Sequence, residues 1–122
     1  MDDMNLDSDE TVSASIDLKQ LALHSSGHML HMVEGPGAPR LISLFEERDV
    51  VGRSLEASIH VPSGLLSREH MELLAIEGEV QARDLDSRNG VYLNGLRIHA
   101  VILRNGDVLQ CGDVVFEYKE GV

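Results

Sequence analysis

Residues 84–95 read DLDSRNGVYLNG, with two Asn-Gly pairs on either side of a short apolar run. Asn and Gly tolerate positive φ, so an Asn-Gly pair between apolar runs is a strong local signal for a tight β-hairpin turn. Further turn signals follow at Asn105-Gly106-Asp107 and at Gly112-Asp113. The stretch therefore predicts short strands that are joined by tight turns.

The same alternation of apolar runs and turns extends through most of the chain. Nearly all the runs are short, such as MELLAI at residues 71–76, and in VVFEYK every second residue, at Val114, Phe116 and Tyr118, is apolar or aromatic. A period of two with regularly spaced turns is typical of an all-β sandwich or barrel. We predict an all-β fold, an antiparallel β-sandwich of about 10 to 11 strands, over roughly residues 25–120.

The N-terminus has a different composition. Residues 1–20 carry six acidic residues against Lys19 alone, and few large apolar side chains. Such a segment cannot bury enough apolar surface to fold by itself. We predict a disordered acidic tail at residues 1–22 and one domain at residues 23–122.

Composition and charge narrow the classes of function. A net charge of −11 argues against binding to a nucleic-acid backbone, which needs a basic surface. The single cysteine, Cys111, excludes an internal disulfide and a cysteine zinc site, and we expect it to pack in the core. No stretch is apolar for the length of a membrane span. These features predict a cytoplasmic protein with neither a nucleic-acid nor a membrane partner.

Three polar clusters each follow a predicted strand: Gly52-Arg53, Ser67-Arg68-Glu69-His70 and Ser87-Arg88-Asn89-Gly90. Alternate loops of a sandwich emerge at the same end, so these loops can converge. Together they would offer three arginines, two serine hydroxyls and an Asn amide. Such donors suit a small, highly charged anion, and phosphate on a peptide fits best. The chain lacks both glycine-rich nucleotide-binding motifs.

The combined spacing of these clusters resembles the forkhead-associated (FHA) domain. The motifs are Gly-Arg, Ser-x-x-His beginning fourteen residues after that Arg, Asp-x-x-Ser-x-Asn-Gly, and a second Asn-Gly. The resemblance covers about residues 28–118 and implies a β-sandwich that binds phosphothreonine peptides. It implies a non-enzymatic module of Ser/Thr kinase signalling, with no cofactor. Its partners would be a phosphothreonine-containing protein or peptide and a Ser/Thr protein kinase.

The resemblance also assigns the ligand-binding residues. Arg53 would be the principal phosphate ligand, Ser67 would donate its hydroxyl to the same phosphate, and Arg68 would be a second cation. Asn89 would hold the main chain of the peptide. Arg88 stands where the family often has a small hydroxylic residue, and its side chain would either join the phosphate or point into solvent.

Other residues would support the binding loops. Gly52 would allow a close turn, His70 would brace the loops through hydrogen bonds, and Gly90 would let the backbone bend after Asn89. The second pair, Asn94 and Gly95, would be a hairpin turn that returns the chain to the sandwich.

Two alternatives to a binding module are weak. Ser67 and His70 could suggest a nucleophile and its base, but the sequence places no orienting acid and no nucleophile elbow, so we expect no catalytic residues. His24, His28 and His31 would share one face of a helix and could bind a metal there. In a strand, His28 and His31 point to opposite faces, so we expect no metal site.

Thr11 is the only threonine of the sequence and lies in the acidic tail. It is either an ordinary tail residue or a phosphoacceptor whose phosphorylated segment becomes a ligand of the domain behind it. Some bacterial FHA proteins that regulate metabolism have this arrangement. About 14 residues between Thr11 and the first strand would reach ~20 Å when flexible and ~45 Å when stretched.

Two further hypotheses stay open. The domain would bind a partner through a sheet face without phosphate, as some FHA domains do. Alternatively, it would be the N-terminal module of a longer regulator, such as a transcription activator, a kinase or a nucleotide cyclase.

Overall fold

The computed structural model describes residues 27–44 and 46–121. These residues form strands and no helix. The strands, numbered in chain order, are β1 (Met29–Glu34), β2 (Arg40–Ser43), β3 (Arg48–Gly52), β4 (Ile59–His60), β5 (Met71–Ile76), β6 (Glu79–Asp84), β7 (Val91–Leu93), β8 (Leu96–Ile98), β9 (Ala100–Ile102), β10 (Val108–Cys111) and β11 (Val114–Lys119). The prediction of an all-β fold with this number of strands is confirmed.

The strands form two sheets that pack as a sandwich. The six-stranded sheet has the order β2-β1-β11-β10-β7-β8, and the five-stranded sheet has the order β4-β3-β5-β6-β9. Strand pairing is antiparallel except between β3 and β4, which are parallel through Val51 opposite Ile59 and Gly52 opposite His60. The predicted antiparallel β-sandwich is confirmed, and this two-residue pair is a parallel addition to it. The loop at residues 53–58 carries the chain back beside the end of β3 instead of reversing it in a hairpin.

The core lies between the inner faces of the two sheets. On β11 every second side chain, at Val114, Phe116 and Tyr118, is completely buried, as the alternating pattern predicts. Cys111 is also buried among core side chains, and burial raises the pKa of its thiol to about 12. The thiol therefore stays protonated and packs as a small apolar group.

Several sequence-based predictions concern the N-terminal segment. Thr11, His24 and the boundary between residues 22 and 23 all lie outside the described residues. His28 precedes β1, and its Nδ1 lies 2.6 Å from the hydroxyl oxygen of Tyr118. Within residues 27–44 and 46–121, no three His, Cys, Asp or Glu side chains are grouped so that they could hold a metal ion. The described part of the chain also contains no helix long and apolar enough to span a membrane.

Candidate functional site

Three loops meet around one cleft at the end of the sandwich. They are the β3–β4 loop at residues 53–58, the β4–β5 loop at residues 61–70 and the β6–β7 loop at residues 85–90. The cleft has a volume of about 210 Å³ and is lined by Arg53, Gly64, Leu65, Leu66, Ser67, Arg68, Arg88 and Asn89. We call it the arginine cleft. All five residues predicted from the sequence to bind the ligand line it.

Arg53 is the first residue after β3, and its position is fixed by two hydrogen bonds to the β4–β5 loop. Its amide N–H donates to the Ser67 carbonyl over 3.0 Å, and its side-chain Nε donates to the Leu66 carbonyl over 3.1 Å. No described residue accepts a hydrogen bond from its two terminal nitrogens. The guanidinium is therefore held in place with those donors available to an anion in the cleft.

The hydroxyl of Ser67 is oriented by the neighbouring loop. The amide N–H of Arg88 donates to Ser67 Oγ over 3.0 Å. Because the oxygen already accepts this bond, the hydroxyl hydrogen can be donated to a ligand. The contact also joins the β4–β5 and β6–β7 loops, so the serine and Arg88 are positioned together.

Three arginines give the cleft a strong positive charge. The described salt bridges are Arg48–Glu72, Arg83–Glu72 and Lys119–Glu117, and none of them includes Arg53, Arg68 or Arg88. Arg88 lines the cleft together with the other two arginines. Arg88 is also exposed to solvent, so the structure places it at the cleft and leaves both predicted roles of its side chain open.

Asn89 is exposed at the rim of the arginine cleft. Its side-chain Nδ2 donates to the carbonyl of Leu65 over 2.8 Å, which fixes the amide plane. Among the described residues, the Oδ1 atom and the second Nδ2 hydrogen have no hydrogen-bond partner, so one acceptor and one donor remain on this exposed side chain. This pair of groups is complementary to the N–H and C=O groups of a peptide main chain.

His70 is completely buried beneath the cleft. Its Nδ1 accepts a hydrogen bond from the Ser67 amide over 3.0 Å, and its Nε2 donates to the Gly90 carbonyl over 2.8 Å. The ring proton is therefore on Nε2, since Nδ1 acts as an acceptor. A single imidazole thus bridges the β4–β5 and β6–β7 loops.

Gly52 is needed because another loop approaches its backbone very closely. A Cβ atom at this position would lie 2.0 Å from the carbonyl oxygen of Arg68, a distance that real Cβ atoms do not tolerate. The Ser54 amide donates a hydrogen bond to the same Arg68 carbonyl over 3.2 Å and so holds the β4–β5 loop at this position. Gly52 therefore allows the β4–β5 loop to lie against the end of β3.

The second Asn-Gly pair lies at the far end of β7. Asn94 and Gly95 have φ values of 49° and 89°, which fit a tight hairpin turn between β7 and β8. Asn94 Oδ1 accepts from the Val108 amide over 2.9 Å, and its Nδ2 donates to Asp107 Oδ1 over 3.2 Å. The prediction of a hairpin turn is confirmed. Its contacts hold the β9–β10 connection and not the loops of the cleft.

The sequence suggested that the hydroxyl of Ser87 is a donor for a bound anion, but the structure gives this hydroxyl another partner. It is buried, its Oγ accepts a hydrogen bond from the Gly90 amide over 2.9 Å, and its amide donates to Asp84 Oδ1 over 3.0 Å. The cleft therefore contains the hydroxyl of Ser67 but not that of Ser87, which shapes the turn before Asn89. The main-chain carbonyls of Leu65 and Leu66 accept the hydrogen bonds that orient Asn89 and Arg53. This role could not be predicted from the sequence, because every residue type has a main-chain carbonyl.

Comparison with known proteins agrees with this geometry. A model of the FHA domain family matches residues 50–112, which include every residue of the cleft. The glycogen accumulation regulator GarA of Mycolicibacterium smegmatis is 32% identical over 74% of this chain. The oxoglutarate dehydrogenase inhibitor of Corynebacterium glutamicum is 31% identical, and the match covers 84% of this chain and 70% of that protein.

Solved structures of FHA domains share the fold of this chain. A solved structure from a study of phosphothreonine-dependent FHA domain interactions superposes with a TM-score of 0.70 and 26% identity, over 75% of this chain and 94% of that one. The chain spans 57% of the length of GarA and 8% of the ABC transporter ATP-binding/permease protein Rv1747 of Mycobacterium tuberculosis. From the match to the family model, the sequence relatives and the shared sandwich, we conclude that this chain belongs to the FHA domain family.

Proposed function

We propose that this chain is a non-enzymatic module that binds phosphothreonine peptides in Ser/Thr kinase signalling and acts in the cytoplasm. The observation that carries the proposal is the arginine cleft, which Arg53, Arg68 and Arg88 line together with Ser67. Clusters of arginine are the recognised means by which FHA domains bind phosphorylated motifs. Phosphorylated peptide is therefore the ligand class that best fits the cleft.

Each residue of the cleft has a distinct task in this proposal. A phosphothreonine carries a charge of about −1.5 to −2 at neutral pH and three strong acceptor oxygens. Arg53 and Arg68 give charge-assisted hydrogen bonds to those oxygens, and Ser67 adds a hydroxyl bond. Asn89 holds the peptide main chain beside the phosphate and so fixes the register of the ligand.

Two peptides that differ in one phosphate group test the proposal. Calorimetry would compare residues 5–17 of the chain, NLDSDETVSASID, with and without phosphate on Thr11. We expect binding of the phosphopeptide alone, with loss of binding after phosphatase treatment. Equal binding of both peptides would instead favour an interaction domain that does not use phosphate.

We further propose that phosphorylation of Thr11 by a Ser/Thr kinase makes the N-terminal segment a ligand of its own domain. Between Thr11 and Met29, where β1 begins, lie 17 residues, which give a flexible reach of ~23 Å. A short tether supplies an effective concentration on the order of mM, so a ligand of about micromolar affinity would occupy the cleft most of the time. Phosphorylation would then close the site to other partners. Two relatives are named as a regulator and an inhibitor, which agrees with a regulatory role.

NMR spectroscopy can test this self-regulation. The amide signals of Arg53, Ser67 and Asn89 are expected to shift when a promiscuous Ser/Thr kinase phosphorylates the full chain. The shifts should be independent of protein concentration, because the contact is intramolecular. A Thr11→Ala chain treated with the same kinase is the control and should not change. Unchanged cleft signals in the phosphorylated wild-type chain would contradict the proposal.

A further inference from the structure

The site holds more positive charge than one phosphate needs. Arg53, Arg68 and Arg88 line the arginine cleft, and none of the lining residues is acidic. This concentration stands out in a chain with 21 acidic and 10 basic residues. Three guanidinium groups carry +3, whereas a phosphothreonine supplies about −1.5 to −2. Positive charge therefore remains after the phosphate is bound.

A fourth arginine lies directly beside the cleft. Arg97 is in β8, opposite Tyr92 of β7, and its side chain is exposed. A Cβ atom built on Gly90 would lie 2.9 Å from Arg97 Nε and 3.3 Å from its Nη2. The guanidinium therefore rests against the glycine that follows Asn89. Glycine at this position gives Arg97 the room to do so.

Arg97 does not line the cleft that we propose to hold the phosphate. None of the described salt bridges includes it. At physiological ionic strength, charges interact over a Debye length of about 8 Å. Arg97 is next to the residue proposed to hold the peptide main chain, so the ligand residues that flank the phosphothreonine lie within its range.

Building on the proposed function, we propose that Arg97 is a specificity-determining residue that selects phosphothreonine peptides with acidic side chains beside the phosphothreonine. The N-terminal segment of the chain has this character. Asp7, Asp9 and Glu10 precede Thr11, and the five residues after Thr11 carry no charge. The acidic residues before Thr11 therefore give a defined probe of the selection.

Calorimetry of the unphosphorylated full chain with two phosphopeptides tests the selection. One peptide has the natural sequence of residues 5–17, and the other carries Asp7→Asn, Asp9→Asn and Glu10→Gln. Exposed ion pairs are weak, so we expect the acidic phosphopeptide to bind about two- to fivefold more tightly. High salt should bring this ratio towards one, because it screens exposed charges.

Variants of Arg97 identify the residue responsible. Arg97→Gln should bring the affinity ratio towards one, and Arg97→Lys, which keeps the charge, should keep the preference. Arg104→Gln is the matched control, since Arg104 is exposed and does not line the cleft, and its ratio should equal that of the wild type. Thermal melting of each variant checks that the fold is intact.

The outcomes separate the two proposals. If both phosphopeptides bind the wild type equally, or if Arg97→Gln keeps the full preference, Arg97 does not select the ligand. The phosphate site would still stand if Arg53→Ala abolished binding of both peptides. If neither phosphopeptide binds the wild type, the phosphothreonine site and the selection by Arg97 both fail.

Discussion

The amide N–H of Arg88 donates a hydrogen bond to Oγ of Ser67 over 3.0 Å, and this contact links two of the three loops of the arginine cleft. Because the Ser67 oxygen accepts this bond from the amide, its hydroxyl hydrogen can be donated to a ligand. The bond also places the Arg88 backbone close to the serine that we propose to contact the phosphate. One backbone contact thus orients a hydroxyl and joins two loops.

Ser67→Ala should weaken phosphothreonine binding without unfolding the domain. The variant removes the hydroxyl bond to the phosphate and leaves the Arg88 amide without its acceptor. Hydrogen bonds to charged groups contribute about 1.5–3 kcal/mol, so we expect an affinity loss of roughly 10- to 100-fold. Calorimetry with a phosphothreonine peptide measures the loss. Ser43→Ala, in β2, is the control and should bind like the wild type; equal binding by both variants would contradict the role of Ser67.

Gly52→Ala should disturb both stability and binding. The new methyl group would meet the Arg68 carbonyl oxygen at 2.0 Å, so the β4–β5 loop or the end of β3 has to move. Overpacking of this kind costs about 1–3 kcal/mol, and the movement would displace Arg68 from the cleft. Urea unfolding and peptide calorimetry report the two effects.

Gly64→Ala is the stability control for that variant. A Cβ atom at Gly64 would meet no other atom within 4 Å. Its free energy of unfolding should stay within about 0.5 kcal/mol of the wild-type value. A Gly52→Ala protein that is as stable as Gly64→Ala would show that the close approach to Arg68 is not needed.

The two Asn-Gly pairs should respond differently to alanine. Asn89→Ala removes the exposed side chain proposed to hold the peptide and its one hydrogen bond to the Leu65 carbonyl, so we expect weaker peptide binding and a stability loss below about 1 kcal/mol. Asn94→Ala removes two hydrogen bonds at a residue with φ of 49°, and we expect a stability loss of about 1–2 kcal/mol with binding retained. Calorimetry measures peptide binding by both variants, and urea unfolding measures their stability. If Asn94→Ala lost binding while Asn89→Ala lost only stability, the roles of the two Asn-Gly pairs would have to be exchanged.

Asp49 should make the domain less stable as the pH rises. Burial raises the pKa of its carboxyl from the ordinary value of 3.8, and Glu46 adds to this, whereas hydrogen bonds with Ser58 and the backbone oppose it. The unfolded chain therefore loses this proton at a lower pH than the folded one, so stability falls as the pH rises above about 3.8. Asp49→Asn should be more stable than the wild type at pH 7, and the difference should shrink towards pH 4.

Urea unfolding at several pH values measures that difference. If the stability of the wild type relative to Asp49→Asn did not fall as the pH rose from 4 to 7, the direction of the pKa shift would be wrong.

The sandwich and the position of the cleft could be predicted because their signals are local. Alternation at Val114, Phe116 and Tyr118 identifies a strand with one buried face. Positive φ at Asn94, Gly95 and Gly106 coincides with the Asn-Gly turns. Once the strands and turns are assigned, the loops that hold Arg53, Ser67 and Asn89 are expected at the same end of the sandwich.

Other features depend on contacts between segments that are distant in sequence. The parallel pairing of β4 rests on two residue pairs and has no hairpin signal. Ser87 resembles a ligand donor, but its hydroxyl is used by the Gly90 amide. The position of Arg97 against Gly90 depends on the register of β7 with β8. None of these can be obtained from a local pattern, because each requires the packed backbone.

Binding of a phosphothreonine peptide by the wild type and by Arg53→Ala tests the central claim most directly. Arg53 follows β3, is held by the Ser67 and Leu66 carbonyls and directs its remaining donors to the cleft. Removal of one partner of a desolvated charge pair costs about 2–5 kcal/mol, so calorimetry should show an affinity loss of at least roughly 30-fold. Arg104→Ala should bind like the wild type. Equal affinity of Arg53→Ala and the wild type for the same phosphopeptide would contradict the assignment of the phosphate site.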